Sequence, residues 1–213
     1  MALFSTAYWP PVSYYLLAAQ SDCVEIEQHE RYQKQSYRNR CTILSANGPL
    51  SLVVPVLRPH DCGIRDARID YSKPWQKEHW RAMEAAYRSA AFFEEFGMDI
   101  RECYRKEISF LFDLNMKIWE LSQKLLGVLI PWRLTKCFTL PSKKCQQEHV
   151  APWSEERPLI RKSADDLRYA IHPKAERKSI GLAQQPYFQV FGHKFGFISD
   201  LSILDVILNV GKI

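Results

Sequence analysis

Glycine is scarce in this chain, 8 among 213 residues, and none of it falls in a GxGxxG or GxxxxGK[ST] array. The backbone cradles that dinucleotide-binding and P-loop proteins build for phosphates are therefore missing. HExxH and GxSxG are absent too, which removes the familiar zinc-protease and α/β-hydrolase arrangements. Six cysteines, at 23, 41, 62, 103, 137 and 145, form no CxxC pair and share no ligand spacing with histidine, so a structural zinc site has no basis. No apolar run approaches the ~18 to 20 residues of a membrane span. The longest candidate, LLGVLIPW at 125–132, meets Pro131. The opening residues MALFSTAYWPPV carry neither the basic region nor the cleavage site of a signal peptide. Unpaired thiols and the missing leader together predict a cytoplasmic protein.

What is present describes an ordinary globular chain, 46% hydrophobic and 25% charged, able to bury a substantial core. A net charge of +5 and a pI near 8.8 suit an anionic small-molecule substrate. They are too weak to argue for nucleic acid. No motif names a cofactor or a metal.

Along the chain, ALFSTAYWPP (2–11) reads as a short buried strand stopped by two prolines, SYYLLAAQ (13–20) as a helix, and CVEIE (23–27) as a second strand. Strand, helix and strand in so short a span predict a βαβ unit with parallel pairing. CTILSANGPLSLVVPV (41–56) predicts two strands turning at Asn47-Gly48-Pro49, and RDARIDYS (65–72) a further short alternating run. Residues 77–97 predict a helix stopped at Gly97, and 102–127 a long amphipathic helix with Ile108, Leu111, Ile118 and Leu125 in register. Asn115 shares that stripe, so its amide either ties helices together or points into a cavity. Residues 131–160 show no period and read as a partly strand-like passage followed by a surface loop. DDLRYAIHPK (165–174) predicts a short helix ended by Pro173, and 176–185 another loop. An extended aromatic run follows at 186–198, then a buried helix at 199–211, capped by Ser199 or Asp200 and ended by Gly211.

The expected fold class is α/β: a Rossmann-like N-terminal sheet, with a HUP-like variant open, and helices packed on it. One domain over 1–213 would comprise a sheet part (1–72), a helical part (73–130), a loop-rich part with a short helix (131–185) and the closing aromatic run and helix (186–213).

One segment concentrates polar chemistry. IEQHERYQKQSYRNRC (26–41) has no aliphatic residue after Ile26 and begins where the second strand ends. In open α/β sheets that edge is where ligands bind. Lys34, Arg38 and Arg40 offer cations suited to phosphate or carboxylate, Tyr37 can stack on a ring, and Asn39 presents both donor and acceptor. A solvated loop has the same composition. General-base candidates are Glu27, at the mouth of the strand, and His79, where a helix start would favour the neutral imidazole. His29 and Glu30 lie in the same run. Cys41 closes it, and neighbouring cations would favour its thiolate. On the last helix Ser202, Asp205 and Asn209 form one polar line. A buried Asp205 needs either a basic partner, for which Lys34, Arg38 and Arg40 are available, or a polar cavity.

AYWPPVSYY, IEQHERYQKQSYRNRC, EHWRAMEAAYRSAAFFEEF, DLRYAIHPK and YFQVFGHKFGFISDLSILDVILNVG, in this order, resemble the WbqC-like family over nearly the whole chain outside 141–160. The resemblance implies an association with bacterial O-antigen and other surface-polysaccharide gene clusters. It also implies an acyl- or aminoacyl (glycine) transferase acting on a nucleotide-linked amino sugar, with a sugar nucleotide or acyl donor as partner. The family pattern carries over Pro10, Tyr14, Lys34, Asn39, Arg40 and His79 as site residues, and departs from this sequence at Cys41. Two alternatives stand beside it. One is HUP-like nucleotidyl transfer, suggested by the Pro-rich turn after strand one although HxGH is absent; it needs a triphosphate-binding turn near Pro10–Tyr14. The other is a non-catalytic binding protein of the same pathway. On the transferase reading Glu27 or His79 deprotonates the attacking amine, Lys34, Arg38 and Arg40 hold the anion, Tyr37 and Asn39 the sugar or base, and Asp205 and Asn209 complete the pocket.

Overall fold

The computed structural model describes residues 1–57, 62–140, 165–173 and 185–211. Four short parallel strands make one sheet in the order β5, β2, β1, β6. β1 (Ala2–Ser5) and β2 (Val24–Glu27) pair from Ala2 opposite Val24 to Ser5 opposite Glu27, joined by α1 (Val12–Ala19). The expected βαβ unit is therefore present. Both strands are buried along their length, as central parallel strands are. β5 (Trp132–Leu134) extends the sheet beside β2, and β6 (Asp165–Asp166) lies on the far side of β1. The chain thus lays down β1, β2 and β5 in one direction, then crosses back over β1. Beyond the carboxyl ends of β1 and β6 the strand order reverses, and connections leave a crevice at such a point.

β3 (Arg40–Ser45) and β4 (Gly48–Val53) form a separate antiparallel hairpin. Its tight turn requires glycine, since Gly48 adopts φ +102°. The helical layer holds α2 (Trp75–Tyr87), α3 (Phe93–Glu102) and α4 (Leu111–Leu126), followed late in the chain by α5 (Gly192–Phe195) and α6 (Ile203–Asn209). α6 touches α1, α2, α3, α4 and β3, which explains why all seven of its residues are buried.

Several expected boundaries moved, each for a tertiary reason. The helix expected over 77–97 divides after Tyr87, and Gly97 lies inside α3 instead of stopping it. No proline or glycine marks the break; the backbone N–H of Phe92 instead donates to Leu208 O in α6 at 3.0 Å. The helix expected from 102 begins only at Leu111. Ahead of it the chain is drawn against residues 67–69, with Ile69 N donating to Ser109 O at 3.0 Å and Leu111 N to Ala67 O at 2.8 Å. The helix expected at 165–174 is, over its described residues, a strand and a turn. Leu167 N donates to Leu3 O at 2.8 Å, so β1 captures this segment. The aromatic run at 186–198 is interrupted by α5, and Ser202 caps α6 in place of Ser199 or Asp200, its Oγ accepting from Leu204 N at 3.3 Å. The loops expected at 141–160 and 176–184 lie outside the described residues.

Candidate functional site

The crevice at the carboxyl edge of the sheet is a small cleft, partly open to solvent, whose enclosed part has room for about one water molecule. Ser5, Thr6 and Ala7 enter it from the end of β1 and Tyr14 from α1. Tyr37 and Arg38 come from the polar run, and Leu167, Arg168 and Ile171 follow β6. Three sequence segments far apart in the chain therefore meet at the strand-order reversal.

Two buried arginines frame it, each 2% exposed. Arg38 grips the Glu30 carboxylate with Nε and Nη2 at 2.9 and 2.5 Å, donates from Nη2 to Ser5 Oγ at 2.6 Å and from Nη1 to Gln33 Oε1 at 3.2 Å. Ser5 Oγ also donates to Glu30 Oε2 at 3.2 Å. Arg168 grips Asp166 in the same way, Nε to Oδ1 at 2.9 Å and Nη2 to Oδ2 at 2.8 Å. Its Nη2 reaches Thr139 O at 2.7 Å and its Nη1 Glu27 Oε2 at 3.3 Å. Phe138 and Tyr169 lie against this guanidinium at 5.4 and 5.7 Å. Tyr14 donates its hydroxyl to Ser5 O at 2.8 Å, and burial raises its pKa well above the usual phenol value. It stays a neutral donor.

Glu27, expected as a base, is saturated. Its Oε1 accepts from His29 N at 2.9 Å and Thr135 Oγ1 at 2.8 Å, and its Oε2 from Thr139 N at 3.0 Å and Arg168. A carboxylate has about four lone-pair positions, and all are used. Glu27 acts on the cleft through Arg168, whose guanidinium it helps hold. His79 is 5% exposed and bonds through Nδ1 to Tyr8 Oη at 2.8 Å. Tyr8 in turn meets Tyr104 Oη at 2.7 Å, which accepts from Trp9 Nε1 at 2.7 Å. Burial pulls the pKa of His79 down to about 4. The expected neutral imidazole is thus favoured by desolvation, and the ring sits in the core behind the β1–α1 connection, outside the residues lining the cleft.

The remaining candidates scatter. Lys34 is exposed, whereas Asn39 is buried and donates to Val54 O at 2.9 Å. Arg40 opens β3, half-buried. Asn115 donates to Arg38 O at 2.8 Å and so ties α4 to the polar run, the first of its two readings. Asp205 is 1% exposed and, among the described residues, forms no ion pair: its Oδ2 accepts from Tyr187 Oη at 2.8 Å and Gln189 Nε2 at 2.9 Å. Of the basic partners expected for it, Arg38 is committed to Glu30 instead. Asn209 turns back onto Asp205 O at 2.8 Å. Both pin the C-terminal segment and neither lines the cleft. Cys41 is 1% exposed, and burial raises its thiol pKa far above the usual range, the reverse of the expected thiolate. His29 is exposed.

The start of α1 is also closed. Val12 N donates to Leu201 O at 3.0 Å, Ser13 N to Asp200 Oδ1 at 2.9 Å and Tyr14 N to Pro11 O at 3.0 Å, while Pro10 O accepts from Ile203 N at 2.8 Å. The amides that a triphosphate-binding turn at Pro10–Tyr14 would use already have partners, which argues against nucleotidyl transfer there.

The structure therefore brings Tyr14, Tyr37 and Arg38 to the cleft, Glu27 behind it, and leaves Pro10, Lys34, Asn39, Arg40, His79, Asp205 and Asn209 elsewhere. Sequence reasoning missed Ser5, Thr6, Arg168 and the role of Glu30 as a counter-ion. One signal was available: Asp166 and Arg168 stand at i and i+2, a spacing that faces one way on an extended chain.

No solved structure matches the chain. A relative described as "Uncharacterized protein Rv1507c", from Mycobacterium tuberculosis (strain ATCC 25618 / H37Rv), is 28% identical over 228 residues, covering 99% of this chain and 94% of that protein. The family model for WbqC-like proteins matches residues 6–213, from the strand-end loop that floors the cleft to the last residue. The chain belongs to the WbqC-like protein family.

Proposed function

We propose that this protein is a transferase that seats a small substrate in the cleft between the carboxyl ends of β1 and β6, passing an acyl or aminoacyl group to a nucleotide-linked amino sugar of surface-polysaccharide biosynthesis in the cytoplasm. The observation that carries the placement is the strand order β5-β2-β1-β6, whose reversal lies beside Ser5 and Arg168. That order supports a Rossmann-like reading of the sheet, in which ligands bind at the reversal. The side chains of Ser5, Thr6, Tyr14 and Tyr37, with two fixed guanidiniums, make this end of the cleft polar, which supports a polar ligand such as a sugar.

The transfer step is supported by family membership more than by local chemistry. A base must reach the proton it removes. Glu27 is saturated and His79 sits in the core. That observation favours, as a second reading, a protein that binds the same ligand without chemistry. Mass spectrometry of the surface glycan from strains with and without the gene separates the two from other functions. Loss of an acyl or glycyl mass on deletion supports the transferase; an unchanged glycan overturns it. Loss of the mass in a Thr6→Val strain too would tie the activity to the cleft.

A further inference from the structure

We infer that two copies of this chain pair through the free edge of β4, antiparallel and with Ser51 on the two-fold axis, joining the two hairpins into one sheet. The pairing is independent of the proposed function and holds or fails without it.

The edge is open on one side of a hairpin that is otherwise closed. Among the described residues β4 pairs with β3 alone. The outer edge of β3 meets Ser202, whose N–H donates to Thr42 O at 2.8 Å. Past the end of β4 its outer edge is taken by residues 68–70, where Asp70 N donates to Pro55 O at 2.9 Å and Arg68 O accepts from Leu57 N at 2.8 Å. Between that closure and the turn at Gly48, the residues Pro49, Leu50, Ser51 and Val53 are exposed.

Natural proteins blunt such an edge with charged side chains, bulges or a covering segment. Residues 41–57 contain no Asp, Glu, Lys, Arg or His. The register runs without a bulge from Arg40 opposite Val53 to Ser45 opposite Gly48. Leu50, Val53 and Leu57 add apolar surface along it.

The backbone groups on the edge identify the occupant. Val54 N donates to Asn39 O at 2.8 Å, which fixes the alternation along the strand. Gly48, Leu50, Leu52 and Val54 turn their backbone groups toward β3; Pro49, Ser51 and Val53 turn theirs outward. Pro49 offers only an acceptor, because proline has no N–H. Ser51 offers a donor and an acceptor. Val53 offers its donor, since its carbonyl is turned to the His79 ring. Read in the opposite direction, this series is its own complement. With Ser51 facing Ser51 of the second copy, each N–H donates to the other's C=O, and on either side Val53 N–H meets Pro49 O. A foreign strand with a donor and an acceptor at every position would leave one acceptor facing Pro49 unbonded. An isologous contact of this kind closes on itself and stops at two copies.

Sedimentation velocity of the full chain over a range of concentrations tests the pairing. The expected result is a reversible dimer, weaker by about 10-fold in Ser51→Lys and in Ser51→Glu, since like charges then face each other across the axis. An equal mixture of the two variants should recover the parental dimer, because each mixed pair sets an ammonium against a carboxylate. The register is read separately. Directly opposed hydrogen-bonded residues hold their Cα atoms ~5.5 Å apart, within disulfide reach. Mild oxidation of Ser51→Cys should therefore link two copies through residue 51, identified by mass spectrometry of the linked peptide. Circular dichroism checks that the variants are folded. A parent chain that stays monomeric up to about 1 mM overturns the inference. So does a dimer that Ser51→Lys leaves unchanged, or one that the mixture fails to restore. The measurement on the parent needs no variant to fold.

Discussion

Arg38 and Glu30 stand eight residues apart in the sequence and close a fork-to-carboxylate pair at 2.9 and 2.5 Å, with both side chains 3% exposed. The polar run at 26–41 thereby neutralises its own best anion binder. A buried pair of this kind says little about net stability until one partner is removed, since the remaining charge is then stranded. Arg38→Met alone should cost about 3–5 kcal/mol in urea unfolding. The double variant Arg38→Met with Glu30→Leu should cost less than Arg38→Met alone. Additive costs would show that the two charges are not coupled.

His79 makes the fold sensitive to acid. Its pKa in the folded protein is about 4 because burial disfavours the imidazolium, against about 6.5 in the unfolded chain. Between those values the unfolded state binds a proton that the folded state refuses. Stability therefore falls as pH drops from about 6.5 toward 4, by about 3 kcal/mol in all. His79→Gln, which keeps an acceptor for Tyr8, should flatten this part of the pH profile measured by chemical unfolding. Equal slopes in the two proteins would refute the assignment.

Asp205 works with the opposite sign. Burial raises its pKa, and Tyr187 and Gln189, which bond to it, are neutral donors. As pH rises through the elevated value, the folded state must carry a charge that the unfolded state carries at less cost, and stability is lost. Asp205→Asn retains an acceptor for both donors and never ionises. Its melting temperature should exceed that of the parent at pH 8, and the difference should close below the ordinary carboxylate pKa. A lower melting temperature for Asp205→Asn at pH 8 would mean that the ionised form is needed.

Cys41 should be inert in the native protein. It is 1% exposed, and desolvation holds its proton. Iodoacetamide at pH 8, read by peptide mass spectrometry, should leave Cys41 unmodified in the folded chain and label it after denaturation. Rapid native labelling would restore the thiolate that the neighbouring arginines suggest on paper.

How much of the site was legible varied with the range of the interactions that build it. The first strand, helix and second strand could be read because local hydrophobicity and two prolines mark them. The polar run could be placed at the strand end for the same reason. Its internal pairing could not, because the side chains of Lys34, Arg38 and Arg40 look equivalent until packing buries one and exposes another. Arg168 is not legible as a cleft residue because DDLRYAIHPK has the composition of a short helix, and pairing with β1 is what makes Asp165–Asp166 a strand. The division of the expected helix at residue 88 likewise follows from a bond to Leu208, some 120 residues away.

By itself the sequence determined the α/β character, the βαβ start, the hairpin at Gly48 and the family, all of which reside in local pattern or in a long unusual block of residues. Only the tertiary structure decided which charges are spent on one another, which way His79 and Asp205 face, and that the chain crosses back over β1 to open a cleft. Those outcomes depend on burial and on partners distant in sequence. Desolvation, which sets the cost of every unpaired charge, has no value until the surroundings are assembled.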